Sequence, residues 1–271
     1  MAECNHNCEG CSANCGERSA PQQFWINGNV RNIIGIVSGK GGVGKSLVTG
    51  LLASTMAKKG FTTAILDADI TGPSIPRMFG LHERVLSDGH FIQPAISTNG
   101  TKIISMNLCL ADEGDPVVWR GPVLAGVLEQ FCSEVDWGNT DFMFVDMPPG
   151  TGDVPLTVFQ SLPLKGIIIV TTPQELVSMI VHKAVRMAEI MNIPVLGIVE
   201  NMAYYECPDC GKKHYIFGEN HSGYNIAAEL PIVPGLAGLC DTGHIEEFDA
   251  SEYLEGAVKI ICGLAKTSTL R

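Results

Sequence analysis

The segment GKGGVGKS, residues 39–46, sits between an apolar run, NIIGIV at 32–37, and a stretch of helix formers from 45 to 58. It fits G-x-x-x-x-G-K-[ST] in the strand–loop–helix setting which that pattern requires. Gly39, Gly41, Gly42 and Gly44 allow successive backbone N–H groups, with those of Lys40 and Val43, to turn inward around phosphate oxygens. The N-terminus of the following helix adds positive potential, and Lys45 supplies a full charge. Ser46 offers a hydroxyl to Mg²⁺. A plain glycine turn is the bland alternative, and the agreement of motif with context disfavours it.

The rest of the chain repeats the strand–helix alternation. TAILDAD, DFMFVDMP, GIIIVTTP and PVLGIVENM read as strands buried on both faces, and helices are expected at 45–58, 123–135, 174–191 and from 251 onward. Such a pattern predicts an α/β fold, a P-loop NTPase with a mostly parallel sheet flanked by helices on both faces. HFIQPAI and TKIISMN form a further β element with no assigned place. Residues 1–30 hold little that builds a core. They are expected to be a flexible, cysteine-containing appendage to an ATPase domain spanning 31–271, which carries a C-x-x-C insertion near 204–217.

Carboxylates end two of these strands. ILDAD carries Asp67 and Asp69, and FMFVDMPPG carries Asp146. Strand ends in parallel sheets form the ligand-binding edge, so acids there can hold Mg²⁺-bound water or orient an attacking water. An isolated Asp after a strand more often caps a helix or makes a turn; the phosphate loop reverses that expectation.

The formal net charge of −11 argues against a nucleic-acid or anionic-membrane surface, which Lys and Arg would have to supply. No basic-then-apolar leader is visible and no apolar stretch approaches membrane-spanning length, so a cytoplasmic location is expected. Ten cysteines in such a chain point to metal or redox chemistry rather than a disulfide framework.

Two groups of cysteines have ligand spacing. Cys207 and Cys210, in ECPDCG, can direct two thiolates at one centre, but a 4Fe-4S cluster or a structural zinc takes four ligands. A twofold homodimer with this segment near its axis would supply the other two. Half of a zinc knuckle is the alternative. A dithiol redox pair is disfavoured because the segment follows a strand and does not open a helix. His214 and His221 are possible substitute ligands, with ordinary surface histidines the simpler reading. Cys4, Cys8, Cys11 and Cys15 make a complete four-thiolate set in a tail where packing gives no reason for it, a second cluster or a zinc site. Its first three also match the radical S-adenosylmethionine spacing, which a terminal tail on a P-loop ATPase does not suit. Cys109, Cys132, Cys240 and Cys262 lack ligand spacing and read as buried small side chains. Met179, Met187 and Met191 read as core.

Lys40, in KGGVGKS, makes the loop a deviant Walker A sequence resembling that of partition and septum-site ATPases and the nitrogenase iron protein. Within that branch, DADITGPSIP (67–76), WRGP (119–122), DMPPGTGD (146–153), TTPQ (171–174) and ENM followed by CPDC resemble the Mrp-type iron-sulfur cluster carriers, over residues 31–260. The resemblance implies a face-to-face homodimer in which Lys40 reaches the partner's nucleotide, much as an arginine finger does. It implies Asp69 in a first switch that positions water, Asp146 as the Walker B acid near Mg²⁺, Gly150 to Asp153 as a second switch, and Asn201 bonded to adenine. It further implies a 4Fe-4S cluster bridged by Cys207 and Cys210 of two subunits. The eukaryotic cytosolic members carry an N-terminal four-cysteine site with wider spacing than Cys4 to Cys15.

The expected function is therefore an ATP-hydrolysing carrier that receives a cluster from assembly proteins and passes it to recipient apoproteins. The alternative is a partition or positioning ATPase with structural zinc at its cysteines. Against it stand the acidic charge and the lack of a basic amphipathic terminal helix. An electron-transfer ATPase like the nitrogenase iron protein would use widely separated single cysteines.

Overall fold

The structure, a computed structural model, describes residues 23–69, 74–110, 121–150, 152–173, 175–218 and 224–268. The expectations for Cys4, Cys8, Cys11, Cys15, Thr151, Gln174 and His221, and for Trp119 and Arg120 of WRGP, fall outside those residues. The elements in chain order are β1 (Asn29–Ser38), α1 (Lys45–Lys58), β2 (Thr63–Asp67), α2 (Ile75–Met78), β3 (Ala95–Ile96), β4 (Lys102–Ile104), α3 (Gly121–Ser133), β5 (Asn139–Asp146) and α4 (Asp153–Ser161). There follow β6 (Gly166–Thr171), α5 (Glu175–Ile190), β7 (Val195–Glu200), β8 (Tyr205–Glu206), β9 (Lys213–His214), β10 (Ile226–Glu229), α6 (Leu236–Asp241) and α7 (Glu255–Ser268).

Eight of these strands make one sheet in the order β10-β7-β6-β1-β5-β2-β4-β3, while β8 and β9 pair only with each other. Every ladder in the large sheet is parallel except β3 against β4. The β element without an assigned place is thus an extension of the sheet: β4 joins it in parallel register with β2, and β3 folds back along the outer edge. From β1 the chain builds first toward β2 and β4, then returns through β5 and builds outward through β6, β7 and β10. The reversal at β1 opens a crevice at the strands' carboxyl ends, and the glycine loop leaves β1 there.

Strand alternation divides the core into two layers. Ile33, Val37, Leu66, Met143, Val145 and Ile169 face α3, α4 and α5 on one side. Ile34, Ile36, Ile65, Phe142, Phe144 and Val170 face α1 and α7 on the other. Full burial of one such side chain contributes about 1.5–3 kcal/mol, and truncating a buried phenylalanine such as Phe144 to alanine costs about 3–5 kcal/mol. Helix α1 is covered by neighbours along most of its length, from Val48 to Met56, which fixes its N-terminus rigidly against the sheet.

Three expectations change. Residues 23–30 do not belong with an appendage: the Phe24 N–H donates to the Ser161 carbonyl at 2.8 Å and that of Asn27 to the Cys132 carbonyl at 2.9 Å. Phe24, Ile26 and Val30 pack against the core. Met179 is not core but 63% exposed, whereas Met187 and Met191 pack against the core as expected. Two residues of helix are about 200° of rotation, so Met179 points away from the buried face defined by Val181, Ala184 and Ala188. Of the cysteines expected to be buried, Cys132 is, while Cys109, Cys240 and Cys262 are partly exposed.

Candidate functional site

The glycine loop takes the shape its residues permit. Gly42 and Gly44 have φ of +80° and +84°, a region in which a side chain is strained. A Cβ on Gly44 would also lie 2.2 Å from the Asn201 amide nitrogen. Gly44 caps α1 without a side-chain hydrogen bond, and the first turn holds no acidic residue. The positive end of the helix therefore remains available to an anion.

Lys45 opens α1 and is almost wholly buried. Its ammonium lies 2.7 Å from Asp146 Oδ1 and 3.5 Å from Asp69 Oδ2, with side-chain exposures of 6%, 0% and 13% for Lys45, Asp146 and Asp69. Ser46 Oγ donates to Asp146 Oδ2 at 2.5 Å. Asp146 therefore receives an ammonium on one oxygen and a hydroxyl on the other. Thr49, one helical turn past Lys45, adds a contact the motif does not contain: Oγ1 lies 2.8 Å from Asp146 Oδ1 and 3.0 Å from the Lys45 carbonyl. The i, i+4 spacing that puts Lys45 and Thr49 on one face of α1 was the available signal.

Asp67 is paired in register with Asp146 at the ends of β2 and β5. Burial, followed by the charge of Asp146, pushes its carboxyl well above the usual range. It accepts the Ser105 hydroxyl at 2.9 Å and the backbone N–H of Asp69 at 3.1 Å. Asp67 thus holds the segment bearing Asp69 in place, with Ser105 reached from β4. Nothing in the sequence separates Ser105 from any other serine.

The oxygen donors of Ser46, Asp146 and Asp69 suit a hard cation such as Mg²⁺. Beside them a cleft of about 510 Å³ runs from Ser38, Lys45 and Asp69 to Asn201 and Met202. Its apolar wall is made by Pro231, Ile232, Val233, Leu236 and Ala237. Asn201 lies there, and its amide donates to the Val43 carbonyl at 3.0 Å, tying the end of β7 to the loop. Cys240 also lines this cleft. Lys40 is half-exposed on the loop, with its carbonyl accepting the Ser38 hydroxyl at 3.0 Å. The Gly150 N–H donates to the Ser38 carbonyl at 2.9 Å, so the segment after β5 is latched to the same loop.

The second site is the β8–β9 hairpin. The Cys207 N–H donates to the Lys212 carbonyl at 3.0 Å and the Gly211 N–H to the Cys207 carbonyl at 2.8 Å. With Gly211 at φ +69°, the turn brings Cys207 and Cys210 to the tip. Hydrogen bonds from the backbone N–H groups of Asp209 and Cys210, then the Cys210 side chain, hold the Cys207 thiol below its usual pKa. A sulfur that accepts N–H groups is prepared to be a thiolate, the form that binds metal. The donor set fits a thiophilic centre and supplies two thiols to it. Among the described residues no three His, Cys, Asp or Glu groups come together to hold a metal, so His214 does not complete it.

A family model described as "NUBPL iron-transfer P-loop NTPase", within ParA, matches residues 29–262. The iron-sulfur cluster carrier protein of Clostridium perfringens is 48% identical over 261 residues, 90% of each chain. The protein of the same name from Methanocaldococcus jannaschii is 43% identical over 242 residues, 86% of this chain and 83% of that one. Among solved structures, a nucleotide-binding protein from Archaeoglobus fulgidus in complex with ADP superposes with a TM-score of 0.72 at 43% identity, covering 80% of this chain and 88% of that one. The MinC:MinD cell division complex of Aquifex aeolicus gives 0.62 at 21% identity, covering 86% and 96%, a likeness of fold alone. Among the described residues no helix is long and apolar enough to cross a membrane.

Proposed function

The chain belongs to the NUBPL iron-transfer P-loop NTPase family, and from that membership we propose that it is an ATP-hydrolysing carrier of a 4Fe-4S cluster. The cluster is cargo, held between two copies by Cys207 and Cys210 of each and passed to recipient apoproteins, with assembly proteins as its source. A cytoplasmic location follows from that role. The observation that carries the reading is the hairpin itself, a partly exposed, N–H-supported Cys207 beside an exposed Cys210, with no third ligand grouped with them among the described residues, in a chain with a cleft beside its glycine loop.

In this reading the loop N–H groups and Lys45 bind the phosphates, and the apolar wall at 231–237 with Asn201 takes the base. Ser46 and Asp146 would hold Mg²⁺, which when bound would offset the charge of the phosphates. Lys45 then exchanges its bond with Asp146 for the phosphate chain, and Asp69, kept in place by Asp67, orients water. Lys40 acts on the nucleotide of the partner copy, where a cation stabilises charge developing in transfer. Cys4, Cys8, Cys11 and Cys15 hold a second cluster or zinc.

Anaerobic reconstitution with iron and sulfide, followed by absorption spectroscopy and iron and zinc counts per chain, tests the reading. It is run on the wild type, on a full-length chain with Cys4→Ser, Cys8→Ser, Cys11→Ser and Cys15→Ser, and on that chain with Cys207→Ala added. Iron should persist without the terminal thiols and vanish with Cys207→Ala. Zinc alone, with no iron, overturns the carrier assignment.

A further inference from the structure

Tyr215, Ile216 and Phe217 are three consecutive large apolar residues, 38%, 60% and 45% exposed, immediately beyond the cysteine hairpin. We propose that this strip is the apolar contact by which a second copy of this chain packs around the shared cluster. The inference rests on the carrier reading above and adds the surface that holds the two halves together.

Geometry ties the strip to the cysteines. Counting down the hairpin from its tip, the Cys207 N–H bonds to the Lys212 carbonyl, Glu206 pairs with Lys213, and Tyr205 pairs with His214. Below these the Tyr204 and Tyr215 rings lie 5.8 Å apart. At about 3.3 Å per residue, the three steps from Cys207 to the level of Tyr215 span about 10 Å. A twofold contact that shares one cluster between two hairpin tips must place those tips on its axis, and its patch is then the same surface on both copies. A standard interface covers about 800 Å² per partner, a disc with a radius of about 16 Å. Tyr215, which opens the strip, falls within that radius of the cysteines.

The hairpin alone is too small to hold two copies together, since β8 and β9 are each two residues long and its surface carries Lys212, Lys213 and His214. Charged side chains are depleted from interface cores, which aromatic and large apolar side chains dominate. The strip supplies that chemistry where the ladder ends. Tyr204, which is buried, anchors it: its ring sits beside Tyr215, with the Lys213 ammonium 4.1 Å from its centroid. Its carbonyl also accepts the Ile232 N–H at 2.7 Å. An apolar surround also restricts solvent access to a metal centre, so the strip should govern how readily the cargo is lost.

The test uses the full-length chain carrying Cys4→Ser, Cys8→Ser, Cys11→Ser and Cys15→Ser, loaded anaerobically with iron and sulfide. Ile216→Glu, the milder Ile216→Ala, and a Cys207→Ala, Cys210→Ala pair are compared with it. Sedimentation equilibrium reads dimer affinity, and the rate of iron removal by a chelator reads retention. Thermal unfolding and nucleotide affinity of the iron-free chain report folding. Ile216→Glu should weaken the dimer and speed iron removal by about tenfold or more, with Ile216→Ala between it and the parent, and neither should change the folding measures. A dimer and a removal rate equal to the parent's in Ile216→Glu overturn the inference while leaving the carrier reading intact. Parental dimer and retention with slowed delivery to an acceptor apoprotein also overturn it, because the strip then docks the recipient. Full iron in the double cysteine variant removes the carrier reading and this inference with it.

Discussion

The nucleotide centre and the cysteine hairpin are built in opposite ways. Lys45, at the start of α1, and Asp67 and Asp146, at the ends of central strands, are buried, each bonded to groups brought from elsewhere in the fold. Cys207 and Cys210 sit in the turn between two strands of two residues each, outside the main sheet, with hydrogen bonds from that same turn. The first arrangement suits a charge-dense site, because a buried ammonium among three carboxylates is tolerable only if every partner is fixed. The second suits a site that must be reached from outside. Within one chain the first gathers its charged groups from several elements, whereas the second presents two thiols from a single turn.

Lys40 is the residue most able to break this contrast. If it serves the nucleotide of a second copy, the buried centre is incomplete too, and Lys40→Ala should lower ATP turnover by about a thousandfold or more while nucleotide binding stays measurable. Unchanged turnover in a steady-state phosphate-release assay would leave the centre self-sufficient. Thiol reactivity sharpens the contrast directly. Burial pushes the Cys132 thiol up to about 12, so at pH 8 it is about a thousandfold poorer in thiolate than an ordinary thiol. Cys207, held low, is richer in it. Timed alkylation of the folded, metal-free chain with mass-spectrometric mapping should label Cys207 among the first cysteines and Cys132 last, and the reverse order would contradict the burial and turn geometry.

Lys45→Ala comes next in size. Removing one partner of a buried charge pair costs about 2–5 kcal/mol, so nucleotide affinity measured by calorimetry should fall at least about thirtyfold, whereas Cys207→Ala should leave it unchanged. Equal losses in the two variants would mean that the sites are not separable. Gly44→Ala should have the smallest effect. A side chain at φ +84°, pressed on the Asn201 amide, costs about 1–3 kcal/mol, read as a lower midpoint of denaturant unfolding with the hairpin's thiol reactivity untouched.

The elements that repeat a local rule could be read directly. Helix α1 was expected from 45 to 58 and spans Lys45–Lys58, because the glycine loop and the apolar residues after it act within a few residues of one another. The five strand-like runs became central strands for the same reason. Met179 and residues 23–30 went the other way. Whether an apolar residue is covered depends on which side of its element meets another element, and Phe24 is tied to Ser161 across more than a hundred residues of chain.

The sequence by itself determined where phosphate can bind, which acids end strands beside it, and which cysteines can share a centre, since backbone freedom, helix ends and short ligand spacings are local properties. Only the tertiary structure decided that Thr49 would meet Asp146, that Ser105 would hold Asp67, and that Pro231 to Ala237 would wall the cleft. It alone left Tyr215 to Phe217 uncovered beside the thiols. Those outcomes depend on strand order and on packing between distant segments, and burial or exposure is a property of the assembled surface, which no short stretch of residues carries.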